Sequence, residues 1–181
     1  VYVNFDARGG KRLSDHDGTR FIIHEMQKYP GNIFIVFLGD NDLRAEIRAH
    51  GTKATGDPTF NEYKKLMIAA KTHLYASNNN NGGMLVLCTL LPNFSNPEYE
   101  KLAKEVDRRV LSMYPGMTVK VVNLRTIMDM GGRRLCEWLY QRDGVHLSSA
   151  GNDRLGGALA RAMRAAVAVR SGELRASDIS L

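Results

Sequence analysis

Three short apolar runs constrain the fold of this chain more than any other feature. They lie at 32–38, 84–91 and 118–124, and stretches with a helical spacing of apolar residues separate them. Continuous apolar runs of this length are typical of parallel strands that helices cover on both faces. A fourth candidate strand, Val1 to Phe5, is β-branched and aromatic. Strands that alternate with helices predict an α/β protein, a three-layer α/β/α domain with a parallel sheet.

Apolar residues at steps of three and four predict the helices. Four are expected: from Asp17 or Thr19 to about Lys28, from near Pro58 through Leu74, from about Asn96 to Tyr114, and from about Ser149 to Val169. In the last helix the predicted core stripe is Leu155, Leu159, Met163 and Val167. The predicted solvated face of the same helix carries Arg154, Arg161 and Arg164.

The chain has 181 residues and 44% hydrophobic content, which predicts one domain over residues 1–170 and a C-terminal tail over 171–181. No apolar run is long enough for a membrane span, and no signal peptide is visible. Two cysteines, Cys88 and Cys136, are too few for a disulfide framework and are expected to be reduced core thiols. These features favour a soluble, intracellular protein.

The formal net charge of +6 would suit a polyanionic partner such as a nucleic acid, although a modest excess of this kind is also typical of a solvated basic surface. The sequence contains no phosphate loop of the Gly-Lys-Ser/Thr type and no aromatic ribonucleoprotein motif. The histidines outside the candidate site share no metal-ligand spacing, so neither a metal nor another cofactor is expected. These histidines are His16, His24, His50 and His73.

Three short segments are expected at one edge of the sheet, where parallel strands end and where sites lie in open α/β folds. They are Gly9-Gly10, Gly39-Asp40-Asn41-Asp42 and Asp143-Gly144-Val145-His146. An acid three residues before a histidine can orient the imidazole for general-base work. Each segment also has an ordinary structural explanation as a turn or a helix cap. Their joint order and spacing favour a site.

Together these segments resemble the SGNH (GDSL-type) hydrolase superfamily. The stretch 39–42 is similar to its third block, Gly-x-Asn-Asp, the stretch 143–146 is similar to its fifth block, Asp-x-x-His, and Gly10 suits the glycine of its second block. The resemblance implies a flavodoxin-like fold and cofactor-free, serine-dependent hydrolysis of a small ester or acylated substrate. It implies that His146 takes the serine proton and that Asp143 holds the imidazole tautomer. Asn41 and the backbone N–H of Gly10 would be oxyanion donors.

The chain departs from this family in the first block. A strand ending in Gly-Asp-Ser, which carries the nucleophile, should precede Gly10 together with a helix, but only nine residues come before Gly10 in this sequence. No serine in the chain fits the role: Ser14 follows the second-block glycine, and Ser148 and Ser149 belong to the start of the last helix.

Two explanations stay open. The first strand and helix, with the nucleophile, lie upstream of Val1, or the domain has dispensed with the nucleophile and is a silent binding module that contacts RNA or another polyanion. The intact Asn41, Asp143 and His146 favour the first explanation, because a silent domain has no chemical need of all three. The substrate pocket is expected to be bordered by the loops Ala45 to Asp57 and Asn93 to Pro97.

Overall fold

The computed structural model describes residues 10–74, 83–113, 118–129, 137–171 and 173. Within them, three strands form one parallel sheet in the order β1 (Ile33–Val36), β2 (Met84–Cys88) and β3 (Val119–Val122). The predicted parallel sheet is therefore confirmed for the three apolar runs, each shortened to its centre. Several predictions lie outside the described residues: the strand from Val1 to Phe5, the turn glycine Gly9, the thiol Cys136 and nearly all of the tail 171–181.

Six α-helices occur in the described part of the chain. They are α1 (Phe21–Lys28), α2 (Asp40–His50), α3 (Asp57–His73), α4 (Pro97–Ser112), α5 (Leu124–Met128) and α6 (Ser149–Arg170). Short helical turns precede α1 at His16–Arg20, follow α2 at Gly51–Lys53, and precede α6 at Glu137–Leu139.

Alternation along β2 divides the apolar residues into two cores. Leu85 and Leu87 join a core with buried residues of α1, α2, α3 and α4, whereas Val86 and Cys88 join a second core with residues of α5 and α6. Successive side chains of a strand point to opposite faces of the sheet, so the two cores lie on opposite sides of it. This arrangement confirms the predicted three-layer α/β/α architecture.

The prediction of a loop from Ala45 to Asp57 is wrong for its first half, because residues up to His50 belong to α2. Among its inward positions, Leu43 is buried, but so are the carboxylate residues Asp42 and Glu46. A helix whose buried face carries carboxylates has no regular apolar stripe, so its periodicity is invisible to an apolar pattern. The helix α5 is too short, at five residues, to show a pattern.

The core stripe predicted for α6 is only partly correct. Leu155 is buried, but the other buried positions are the alanines Ala158, Ala162 and Ala166, and Val167 is 41% exposed. Alanines at four-residue steps lie on one face and let the helix approach its neighbours closely. The predicted stripe of bulkier residues is therefore displaced from the buried face toward its end, where Val167 is exposed.

The prediction of a solvated arginine face on α6 is also wrong for Arg154. Its guanidinium donates to the backbone carbonyls of Ile127 and Asp129, at the C-terminal end of α5. Arg161 and Arg164 are exposed, as predicted. One arginine of the three is therefore a structural tie between α6 and α5.

Cys88 is a buried free thiol, as predicted. Burial raises the pKa of this thiol to about 12, so the side chain is a protonated core group at neutral pH. Within the described residues, no helix has the length and apolar content that crossing a membrane would require.

Candidate active site

Asp143 and His146 lie in a short loop that its own backbone closes. Tyr140 and Leu147 form an isolated antiparallel bridge, the N–H of Gln141 donates to the carbonyl of His146 at 2.7 Å, and the N–H of Gly144 donates back to Gln141 at 2.9 Å. Gly144 has a φ of +66°, a conformation that favours glycine. The loop therefore has a fixed course that places Asp143 beside the imidazole.

The Asp143 carboxylate binds the imidazole directly. Its Oδ2 lies 2.6 Å from His146 Nδ1, and its Oδ1 accepts the backbone N–H groups of Val145 at 2.9 Å and of His146 at 3.0 Å. The hydrogen bond from His146, followed by the two backbone bonds, lowers the pKa of Asp143 to about 2. An ionised carboxylate only accepts hydrogen bonds, so Nδ1 carries a hydrogen, and in the neutral ring the lone pair is then on Nε2.

Both side chains of this acid–histidine pair are open to solvent, at 45% exposed for Asp143 and 73% for His146. An ion pair this exposed contributes little to folding stability. Its effect is to fix the ring tautomer and orientation, which is what a general base requires.

The loop after β2 holds the acid–histidine loop in place. The N–H of Phe94 donates to the carbonyl of Gly144 at 3.3 Å, and the rings of Phe94 and Tyr140 meet edge to face at 5.0 Å. A Cβ on Gly144 would lie 3.2 Å from the backbone nitrogen of Ser95. The acid–histidine loop is thereby anchored to the segment that follows β2, through Phe94 and Ser95.

Asn41 lies in the first turn of α2, which begins just after β1. Its side-chain amide donates to the carbonyl of Lys11 at 3.0 Å, next to Gly10. The neighbouring Asp42 accepts the N–H groups of Leu13 at 2.7 Å and Ser14 at 2.9 Å. An amide nitrogen has two hydrogens, and one of those on Asn41 ties α2 to the segment after Gly10.

The start of α2 is also tied to α4. Asp40 accepts the hydroxyl of Tyr99 at 2.5 Å and the guanidinium of Arg44 at 2.6 Å. Burial raises the pKa of Tyr99 far above its ordinary value, so its hydroxyl stays protonated and donates. These bonds fix the helical turn that carries Asn41.

The four predicted site residues thus form two local groups. Asp143 bonds His146, and Asn41 bonds the carbonyl that follows Gly10. The first group is anchored to the segment that follows β2 and the second lies just after β1, and these strands are parallel neighbours. Both groups are therefore tied to segments that follow neighbouring strands, and among the described residues no hydrogen bond joins the two groups.

The described part of the chain shows no serine hydroxyl that donates to His146. The hydroxyl of Ser95 donates to Asn93 at 2.8 Å and that of Ser148 to the carbonyl of Trp138 at 2.8 Å. Ser14 lies in the segment that Asp42 binds. Among the described residues, the imidazole of His146 therefore has the Asp143 carboxylate, and no serine, as its hydrogen-bond partner.

Two open depressions, of about 750 Å³ and about 500 Å³, share Ser14 of the segment that Asp42 binds. The larger is lined by Ser14, Asp42, Glu46 and residues of α3, and neither has Asn41, Asp143 or His146 in its lining. The candidate site is defined by hydrogen-bond geometry instead, because reach to the transferred proton is the primary requirement of a general base.

Three further residues near the segment that follows β2 were not predicted from the sequence: Glu100, Asp107 and Arg125. Asp107 is only 2% exposed on the face of α4 that also buries Ala103 and Val110. A carboxylate at a core position of a helix needs a buried partner. The occurrence of Asp107 among apolar residues of α4 was therefore the one sign in the sequence that such a partner exists. The partner itself, far along the chain, could not be read from spacing.

Among the residues that the structure describes, no group of three or more His, Cys, Asp or Glu side chains could hold a metal ion. No family model, no curated protein and no solved structure matches this chain.

Proposed function

We propose that this domain is the acid–histidine part of an SGNH-type ester or acyl hydrolase, whose serine nucleophile belongs to a Gly-Asp-Ser block upstream of Val1. The observation that carries the proposal is the 2.6 Å contact between Asp143 Oδ2 and His146 Nδ1. This contact leaves Nε2 as the proton acceptor on a side chain that is 73% exposed.

The proposed reaction is acyl transfer through the serine. As the serine oxygen attacks the ester carbonyl carbon, Nε2 of His146 takes the serine proton, and Asp143 stabilises the imidazolium. The oxyanion accepts hydrogen bonds from the amide of Asn41 and the N–H of Gly10. The imidazolium then protonates the leaving alcohol, and a water that His146 activates in the same way releases the acid.

The test uses the natural protein with its upstream sequence and a short-chain p-nitrophenyl ester. His146→Ala is expected to lower kcat/KM by at least about a hundredfold, the lower range for a general base. His24→Ala is the matched control, because this histidine is exposed on α1 and has no part in the proposed reaction. Ester turnover that survives His146→Ala unchanged would falsify the role assigned to His146.

The alternative of a silent module that binds RNA gains no specific support from α6. Arg154 is bonded to carbonyls of α5, which leaves Arg161 and Arg164 as the exposed arginines of the predicted basic face. If the natural protein lacks ester turnover and binds RNA with an affinity that falls steeply with salt, the binding module is the better description.

A further inference from the structure

A partly buried ion-pair network lies beside the candidate active site. Arg125, on α5, donates from Nε to Asp107 Oδ2 at 2.6 Å and from Nη1 to Glu100 Oε1 at 2.5 Å. The exposed side-chain fractions are 18% for Arg125, 3% for Asp107 and 20% for Glu100. One guanidinium therefore fixes two carboxylates of α4, using the planar fork that distinguishes arginine from lysine.

Each carboxylate uses its other oxygen to hold the backbone after β2. Asp107 Oδ1 accepts the N–H of Leu90 at 2.9 Å, and Glu100 Oε2 accepts the N–H of Asn93 at 3.0 Å. Segment 90–93 is thus bound at both ends by groups that Arg125 orients. The N–H of Leu124 on α5 adds a third tie, by donating to the hydroxyl of Thr89 at 2.9 Å.

The next residue along this segment contacts the acid–histidine loop. Phe94 donates its N–H to Gly144 and packs its ring on Tyr140. Gly144 lies between Asp143 and His146 in the chain, and Tyr140 begins the bridge that closes the loop. Continuous contacts therefore run from Arg125 through segment 90–93 and Phe94 to the backbone of the acid–histidine pair.

We infer that Arg125 is a positioning residue for the Asp143–His146 pair, acting through Glu100, Asp107 and the segment 90–94. An effect of Arg125 on catalysis rests on the proposed hydrolase function, whereas its effect on the position of the His146 imidazole does not. Burial raises the pKa of Asp107 to about 6, so loss of hydration outweighs the favourable pairing. A buried ion pair adds little stability relative to well-packed apolar side chains, whereas this one orients both carboxylates toward the backbone N–H groups of segment 90–93.

The test follows the imidazole by NMR on this chain as it stands, without any need for enzyme activity. The readout is the His146 Nδ1–H resonance and its rate of exchange with water. Arg125→Lys keeps the charge and removes the fork, and Glu100→Gln replaces one of two acceptor oxygens with a donor. Both variants are expected to speed the exchange of Nδ1–H several-fold or to broaden its resonance beyond detection.

The matched control is Arg109→Lys. Like Glu100 and Asp107, Arg109 lies on α4. It pairs with Asp57 at 2.7 Å, and its guanidinium lies over the ring of Phe60. Neither partner belongs to segment 90–94. This variant is expected to leave the Nδ1–H exchange unchanged. If Arg125→Lys fails to fold, Glu100→Gln carries the test, because Glu100 is partly exposed.

An unchanged Nδ1–H resonance and exchange rate in folded Arg125→Lys and Glu100→Gln would reject the positioning role, whatever the natural protein hydrolyses. Faster exchange in both variants, with no change in Arg109→Lys, supports it. If the natural protein then shows no ester turnover, the hydrolase proposal falls and the positioning role stands. The two ideas can therefore fail separately.

Discussion

Replacement of Gly39 by alanine tests how the chain turns from β1 into α2. Gly39 has a φ of +115°, and a Cβ on it would lie 2.5 Å from the hydroxyl oxygen of Tyr63 and 3.2 Å from Leu90 Cδ2. The Tyr63 hydroxyl donates to the carbonyl of Leu38 at 2.6 Å and is fully buried. Alanine therefore meets both an unfavourable backbone conformation and a fixed neighbour.

The magnitude follows from three contributions. A left-handed backbone costs a residue with a Cβ roughly 1–2 kcal/mol. Displacing the Tyr63 hydroxyl loses a buried hydrogen bond, at about 1 kcal/mol, and forces the tyrosine off its preferred rotamer, at roughly 0.5–1.5 kcal/mol. We expect Gly39→Ala to lower the free energy of unfolding by about 2–5 kcal/mol.

The assay is urea unfolding at equilibrium. Gly10→Ala is the control: Gly10 has a φ of +78° and nothing within 4 Å of the Cβ position, so only the backbone contribution of roughly 1–2 kcal/mol applies. In Gly39→Ala/Tyr63→Phe the hydroxyl is absent, and the loss should be smaller than the sum of the single losses. Equal losses in Gly39→Ala and Gly10→Ala, or strict additivity in the double variant, would refute the packing argument.

Two further predictions concern Asn41 and Asp107. Asn41→Ala in the natural protein should lower kcat for the ester by about 100- to 1000-fold, because it removes one oxyanion donor, and a loss confined to KM would contradict that role. The pKa of Asp107 rises from 3.8 to about 6 on folding, so the folded state binds the extra proton, and the stability that this group contributes is lost as pH rises from about 4 past 6. Between pH 4 and 7.5 the free energy of unfolding of the unsubstituted protein should therefore fall by on the order of 2–3 kcal/mol more than that of Asp107→Asn. Parallel pH profiles of stability for the two proteins would contradict the raised pKa of Asp107.

The layers and the longer helices follow from the sequence because they depend on apolar patterns. Tyr63 on α3 and Tyr99 on α4 are both fully buried, in helices that the spacing of apolar residues predicted. The pattern failed where polar atoms replace apolar ones in the interior. In α2, Glu46 is buried because the backbone N–H groups of Thr55 and Gly56 bind it, and no hydropathy pattern contains that information.

The candidate site was predictable to the extent that its contacts are local. Asp143 and His146 are three residues apart, so the contact that the structure shows lies within the reach of one short loop, although the pair was predicted only together with the other two segments. Asn41 reaches Lys11 across thirty residues, and a resemblance to a family suggested only that their segments are close. The ties from Arg125 to α4 join positions 18 and 25 residues apart, and they depend on how α5 packs, which the sequence does not reveal.

The two buried carboxylates of α2 bind backbone, and this decides where the chain tolerates substitution. Asp42 holds the N–H groups of Leu13 and Ser14, and Glu46 holds those of Thr55 and Gly56. Every residue except proline offers the same N–H. Exposed Ser14 can therefore change its side chain without loosening the tie, and Ser14→Pro is the replacement that breaks it. The segment beside Asn41 is thus specified by where its backbone runs, more than by which side chains it displays.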